Sequence, residues 1–142
     1  MNNLLWDLVA VTTTSWAADA DSGVVWAGEF DGRRGVRLVQ DCRDATTVWF
    51  ETGDITLRFD AHLFGRTDDV DLQRRFLKFN HKSWPVAVSF DRREDVYLTG
   101  RIPAAAVDAD MLGVIVGAIH DGVERLFPHC LAAARRGRET SR

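Results

Sequence analysis

The sequence is 142 residues long, 46% hydrophobic and 27% charged, which is the composition of one globular domain with an adequate core. Its net charge of −3 and pI near 5.8 argue against nucleic acid as a partner, because nucleic-acid-binding domains are usually strongly basic. Its apolar runs are too short to span a bilayer, so we expect a cytoplasmic protein that does not bind a membrane.

The first predicted element is a helix over residues 3–18. Side chains at intervals of three and four residues give it one buried face: Leu5, Leu8, Val9, Thr12 and Trp16. The β-branched run at residues 11–14 favours a strand instead, because β-branched side chains lose χ1 freedom in a helix. Tertiary packing must therefore overrule local propensity if this helix forms.

Four strands are predicted next, because the apolar period changes to two residues. They cover residues 24–30, 35–41, 46–51 and 55–64. Turn-forming residues separate them at positions 31–32, 43–44 and 52–54. The last strand alternates most clearly, with Leu57 and Phe59 on one side and Asp60 on the other. One face of this sheet is therefore predicted to be core and the other to face solvent.

A second helix and a hairpin follow the four strands. The helix begins near Asp69 and ends before Pro85, because proline cannot continue a helix. Residues 86–90 and 96–102 alternate again around a charged turn, which predicts two more antiparallel strands.

The third predicted helix, over residues 108–134, has the longest apolar stripe of the chain. The stripe consists of Leu112, Ile115, Val116, Ile119, Val123, Leu126, Phe127, Cys130 and Leu131. Pro128 is expected to kink or end this helix, because its ring clashes with the preceding turn. Residues 137–142 are predicted to be a flexible basic tail.

Together these elements predict a single α+β domain over residues 1–136. Its order is one helix, four strands, one helix, two strands and one helix. A meander plus a hairpin gives an antiparallel sheet of five to six strands, and the amphipathic helices need one apolar face to pack on. We therefore expect a two-layer sandwich with the helices on one face of the sheet.

Residues 46–134 resemble the YbjN family and the related type III secretion chaperones of the CesT kind. The resemblance is carried by Leu72-Gln-Arg-Arg-Phe-Leu-Lys-Phe-Asn80, by the hairpin segments at residues 86–91 and 96–100, and by the final helix. It implies a sandwich with helices on one face of an antiparallel sheet. It also implies binding of partner proteins or extended peptides, often as a homodimer, with no catalytic residues to carry over and no cofactor expected.

Two apolar runs suggest where a protein or peptide partner would bind. Val24, Val25 and Trp26 are adjacent in one predicted strand, and Trp49 and Phe50 are adjacent in another. Because neighbouring side chains of a strand point to opposite faces, at least one large side chain of each run must leave the core face. We predict these five residues as the partner-binding site. The first helix, a second subunit or a client peptide could cover the exposed side chains.

Catalysis is not indicated by the sequence. No Gly-x-Ser-x-Gly, Cys-x-x-Cys or His-Glu-x-x-His spacing is present, so we predict no catalytic residue and no metal site. The alternative is a small-molecule-binding domain or small enzyme with a pocket beneath the first helix, using His62, Asp60 and Arg58. A third interpretation is an immunity or adaptor protein, which sequence cannot distinguish from a chaperone.

Overall fold

The computed structural model describes residues 3–140 and confirms the predicted α+β fold. Its elements are α1 (Asn3–Ala18), β1 (Val24–Phe30), β2 (Arg33–Val39), β3 (Ala45–Thr52), β4 (Thr56–Phe64), α2 (Val70–Lys82), β5 (Ala87–Phe90), β6 (Val96–Pro103), a short 3-10 helix (Ala104–Ala106) and α3 (Ala109–Thr140). The predicted element order is therefore correct.

The six strands form one antiparallel sheet in the order β1-β2-β3-β4-β6-β5. The β1–β2 turn contains Asp31 and Gly32, both at positive φ (54° and 76°), as a tight hairpin turn requires. The chain leaves β4 to form α2 and returns as the β5–β6 hairpin, whose second strand pairs with β4. β1 and β5 are therefore the edge strands.

All three helices pack on one face of the sheet, which we call the inner face. Alternate strand residues point to it and are fully or almost fully buried: Val36, Val48, Phe50, Leu57, Phe59, Ala61, Leu63 and Leu98. The helices contribute their apolar stripes to the same core, including Val9 of α1, Phe76 of α2 and Ile119 of α3. The opposite face, the outer face, carries no helix within residues 3–140.

α3 continues through Pro128 to Thr140, so this proline does not end the helix. Pro128 lies on the exposed side, where water can satisfy the carbonyl group that loses its amide partner. Leu126 and Cys130 on either side of it are buried and hold both turns against the core.

The helix also includes part of the predicted flexible tail. Residues 137–140 are helical, and the Thr140 hydroxyl bonds to the Arg136 carbonyl at 3.1 Å. The Arg136 guanidinium is 3.1 Å from the carboxylate of Asp69, the N-cap residue of α2. This ion pair ties the end of α3 to the start of α2. Residues 141–142 of the predicted tail lie outside the described residues.

Candidate functional site

Three aromatic side chains form a cluster on the outer face: Trp26 and Phe30 of β1 and Trp49 of β3. The Trp49 ring centroid lies 6.3 Å from that of Trp26 and 6.2 Å from that of Phe30. Trp26 is 41% exposed and Phe30 is 67% exposed. Trp49 is half-buried between them. Each such ring can bury a large apolar area, so leaving Trp26 and Phe30 exposed forgoes substantial stabilisation. We call these three residues the outer aromatic cluster.

A β-bulge in β1 directs Trp26 to the outer face. Val24 pairs with Leu38, and the next pair joins Trp26 to Arg37. Val25 is therefore an extra residue on β1, and it shifts the alternation of side chains by one position. Val24 points into the core, whereas Trp26 points outward.

Two glycines allow the indole rings to lie against the sheet. A Cβ atom on Gly35 would be only 2.7 Å from ring atoms of both Trp26 and Trp49. A Cβ atom on Gly28 would be 2.6 Å from the Trp26 ring. Gly28 and Gly35 are paired across β1 and β2, so the cluster rests on a patch of sheet without side chains.

A polar groove of about 670 Å³ begins beside Trp49 and crosses the outer face towards β6. Arg33 stacks on the Trp49 ring at 5.0 Å from its centroid, and its guanidinium is 3.5 Å from the Asp60 carboxylate. Burial raises the pKa of Asp60, and Arg33 offsets part of this effect. Burial also raises the pKa of Tyr97, and the nearby carboxylates of Asp91 and Asp60 raise it further.

One end of the groove lies where β3 and β4 separate, because their ladder ends at Trp49. Arg43 lies between the two strands beyond that point. Its guanidinium donates to the Thr46 hydroxyl at 2.9 Å and to the carbonyl groups of His62 and Leu63 at 2.8 Å each. The arginine thus satisfies backbone acceptors of β4 that face this gap.

Most of the chain matches the model of one known protein family. The family described as "YbjN: Putative bacterial sensory transduction regulator" matches residues 10–132. The chain belongs to the YbjN family. The match includes α1 from its second half, the whole sheet and most of α3, so it covers both the core and the outer face.

Curated relatives of this YbjN-family chain are uncharacterised proteins of Mycobacterium bovis and Mycobacterium tuberculosis. They are 30% identical over 77 residues, which is 53% of this chain. The same alignment covers 42% of each relative, so the chain matches less than half of their length.

Two solved structures share the fold of this YbjN-family chain. A chain of the heterodimeric ExoU–SpcU complex from the type III secretion system of Pseudomonas aeruginosa matches 64% of this chain with a TM-score of 0.52 and 19% identity. The match covers 87% of that chain. A chain of the ExsC–ExsE complex matches 84% of this chain and is itself 91% covered, with a TM-score of 0.55 and 15% identity.

The structure brings together only part of the partner-binding site predicted for this YbjN-family chain. Val25 is 62% exposed, and Trp26 and Trp49 belong to the outer aromatic cluster. Val24 and Phe50 are 7% and 0% exposed and belong to the core. These two residues therefore lie apart from the outer aromatic cluster, because their positions in the strands direct them to the inner face.

Sequence analysis missed Phe30 and Arg33, which complete the outer face around Trp49. The signal was present, because Phe30 follows Trp26 at the four-residue spacing of one strand face. It was obscured by the bulge, which cannot be recognised from alternation alone. α1 packs on the inner face, so it does not cover Trp49.

The predicted pocket beneath α1 does not contain the polar residues assigned to it. Asp60 and His62 line the groove on the outer face, and α1 packs on the opposite face. Arg58 pairs with Glu51 and Arg101 along the strands and is not among the residues of that groove. The alternation of β4 explains the error, because it directs these side chains away from the helices.

Within residues 3–140, no group of three His, Cys, Asp or Glu side chains is arranged to hold a metal ion. No helix in the same part of the chain is both long and apolar enough to cross a bilayer.

Proposed function

We propose that this YbjN-family protein is a non-enzymatic binding module that holds a segment of a partner protein against its outer aromatic cluster. The observation that carries the proposal is the exposure of Trp26 and Phe30 beside the half-buried Trp49, on a sheet face that carries no helix within residues 3–140. A contiguous apolar patch next to a polar groove is typical of a protein-binding surface.

The composition of this surface suits a binding hot spot. Tryptophan, tyrosine and arginine are the residues most often found to dominate interface energies, and all three types are present at Trp49, Tyr97 and Arg33. Covering one large aromatic side chain contributes roughly 1.5–3 kcal/mol of apolar transfer energy. The Arg33–Asp60 pair would form a polar boundary that fixes the position of the bound segment.

The comparisons support a role in protein binding without identifying a partner. The two solved structures described above are complexes named for two proteins. The family description as a regulator of sensory transduction is compatible with this role, because a regulator can act by binding another protein. We also propose, as the resemblance suggested, that the protein is cytoplasmic and forms a homodimer.

The test is a comparison of wild type with Trp49→Glu and with Ile55→Glu as matched control. Ile55 is 80% exposed in the turn before β4 and is outside the outer aromatic cluster. Affinity capture identifies partners of the wild type, and calorimetry with the purified partner measures each variant. We expect Trp49→Glu to weaken binding by about 30-fold or more, as at interface hot spots, and Ile55→Glu to bind normally.

Far-UV circular dichroism and light scattering distinguish the loss of the binding surface from the loss of the fold and from the loss of a dimer. An unchanged spectrum for Trp49→Glu together with lost binding supports the proposal. A lost spectrum would show that Trp49 is needed for folding, and unchanged affinity would show that the partner binds elsewhere. A dimer that dissociates in Trp49→Glu would identify a second copy of the chain as the occupant of this face.

A further inference from the structure

A second surface, formed by α2 and α3, carries a concentration of positive charge. α2 buries Leu72 and Phe76 and exposes the opposite side of the helix. Four cations of α2 and one of α3 are found there: Arg74, Arg75, Lys78, Lys82 and Arg125. We call these five residues the basic face. It includes both lysines of a chain whose net charge is −3, so its charge is opposite to that of the whole protein.

The charges of the basic face are not neutralised by ion pairs. Among residues 3–140, no ion pair is found for these five side chains, whereas Arg33, Arg66 and Arg136 make ion pairs elsewhere. Burial lowers the pKa of His129, and the nearby Arg75 and Arg136 lower it further. Arg75 of the basic face therefore lies close enough to His129 to act on its ring.

A groove of about 270 Å³ runs between α2 and α3 at the basic face. Lys78, Lys82 and Arg125 line it together with Trp84, which is 65% exposed. Asp121 also lines the groove, and its carboxylate is 3.7 Å from the His120 ring. The surface therefore combines three cations with one apolar ring and one opposing charge.

A second apolar side chain extends this surface along α2. Leu77 is 69% exposed and lies beside Lys78, His81 and Lys82. Acidic segments of proteins often combine carboxylates with a few large apolar side chains, and such segments bind surfaces that offer both cations and apolar contacts.

We propose that the basic face binds an acidic, partly apolar segment of a second protein. Its carboxylates would pair with Lys78, Lys82 and Arg125, and its apolar side chains would contact Trp84 and Leu77. This inference is independent of the proposed function, because the basic face lies on the helical layer and the outer aromatic cluster lies across the sheet.

Charge favours this occupant over the others. Two copies that met through the basic face would bring like charges together, which disfavours association. Nucleic acids and anionic membranes present negative charge over areas wider than this face, so a short acidic segment matches its size better. A peptide segment can place its carboxylates on the five cations alone.

The experiment measures fluorescence anisotropy of a labelled peptide made of glutamate, aspartate and leucine. A peptide with glutamine and asparagine in place of the acids is the neutral probe. The variant Lys78→Glu/Lys82→Glu is compared with Arg92→Glu/Arg93→Glu, which makes the same charge change in the β5–β6 turn. We expect the first variant to bind the acidic peptide about tenfold more weakly or worse, and the second to bind like wild type.

Parallel binding measurements test the other possible ligands of the basic face. Equal binding of the acidic peptide by wild type and Lys78→Glu/Lys82→Glu would overturn the proposal, as would equal binding of the neutral peptide. Binding of phosphatidylserine vesicles or of a DNA duplex without binding of the acidic peptide would also overturn it. Trp49→Glu should bind the acidic peptide normally, so failure of the proposed function leaves this test unaffected.

Discussion

Glu124 shows how one carboxylate of α3 can determine the path of a loop on the sheet. Its Oε2 atom accepts hydrogen bonds from the Gln40 side chain at 2.6 Å and from the backbone amides of Asp41 and Cys42 at 3.0 and 3.2 Å. Burial alone would raise the pKa of Glu124, but these donors outweigh burial and lower it. The charged form of Glu124 therefore stabilises the folded state.

We expect Glu124→Gln to lower the free energy of unfolding by about 1–3 kcal/mol at neutral pH, because charge-assisted hydrogen bonds are lost. A depressed folded-state pKa gives stability that is present above the unfolded value near 4.5 and lost as pH falls through the folded value. The difference between wild type and variant should therefore shrink at about pH 3. Urea unfolding at both pH values measures it, with Glu139→Gln, an exposed site on α3, as control.

The exposure of a single strand residue could be predicted only where the sequence shows which face of the sheet its side chain points to. Trp49 could be assigned as a surface residue because its neighbours, Val48 and Phe50, are both suited to the core. Val24 could not be assigned correctly, because the bulge at Val25 is a property of the pairing between β1 and β2 and leaves no distinct mark in the sequence. A difference of one residue in pairing decides which side chains a partner can reach.

At the scale of elements, α3 has glycines in two different environments. A Cβ atom on Gly113 or Gly117 would have nothing within 4 Å, whereas one on Gly122 would be 2.9 Å from the Leu98 side chain and 3.3 Å from Phe79. The first two glycines leave the exposed side of the helix bare. Gly122 allows the close approach of α3 to the sheet and to α2.

Gly113→Ala should raise the free energy of unfolding by about 0.5–1 kcal/mol, because alanine has the higher helix propensity and its methyl group meets no neighbour. Gly122→Ala is the matched substitution in the same helix and should destabilise the protein, because its methyl group overlaps the Leu98 side chain. Thermal unfolding of both variants tests this pair. Stabilisation by both substitutions would contradict the packing described for Gly122.

Periodicity predicted the helices and strands well, but it failed where tertiary contacts determine their ends. The bounds of α1 were predicted correctly despite its β-branched run, and its Val9 and Thr13 are fully buried. The extension of α3 past Pro128 could not be predicted, because it depends on which side of the helix faces the core. The ion pair of Arg136 with Asp69 joins elements far apart in sequence and gives no local signal.

At the scale of the whole molecule, the two proposed surfaces lie on opposite layers of the sandwich. Sequence analysis could predict two layers from the amphipathic helices and the alternating strands. It could not predict which layer leaves Trp49 uncovered, nor that Arg125 of α3 would join the cations of α2. Both facts depend on how the layers are assembled.

The separation of the surfaces predicts that their ligands bind independently. The affinity of the acidic peptide should be the same within about 0.5 kcal/mol with and without a saturating partner on the outer face, because distant sites without shared contacts are usually additive. Calorimetric titration of the peptide into the free protein and into the complex measures the coupling. A coupling well above this limit would mean that the two segments share contacts or that the layers move together.

Arg43 also connects the two halves of the sheet. β1–β3 and β4–β6 are two three-stranded panels, and they are joined along a seam that pairs residues 49–52 with residues 57–60. Beyond the seam, the connection is made by the guanidinium of Arg43 rather than by a ladder. On the groove side of the seam, the hydrogen bonds that link β3 to β4 therefore run through one arginine side chain.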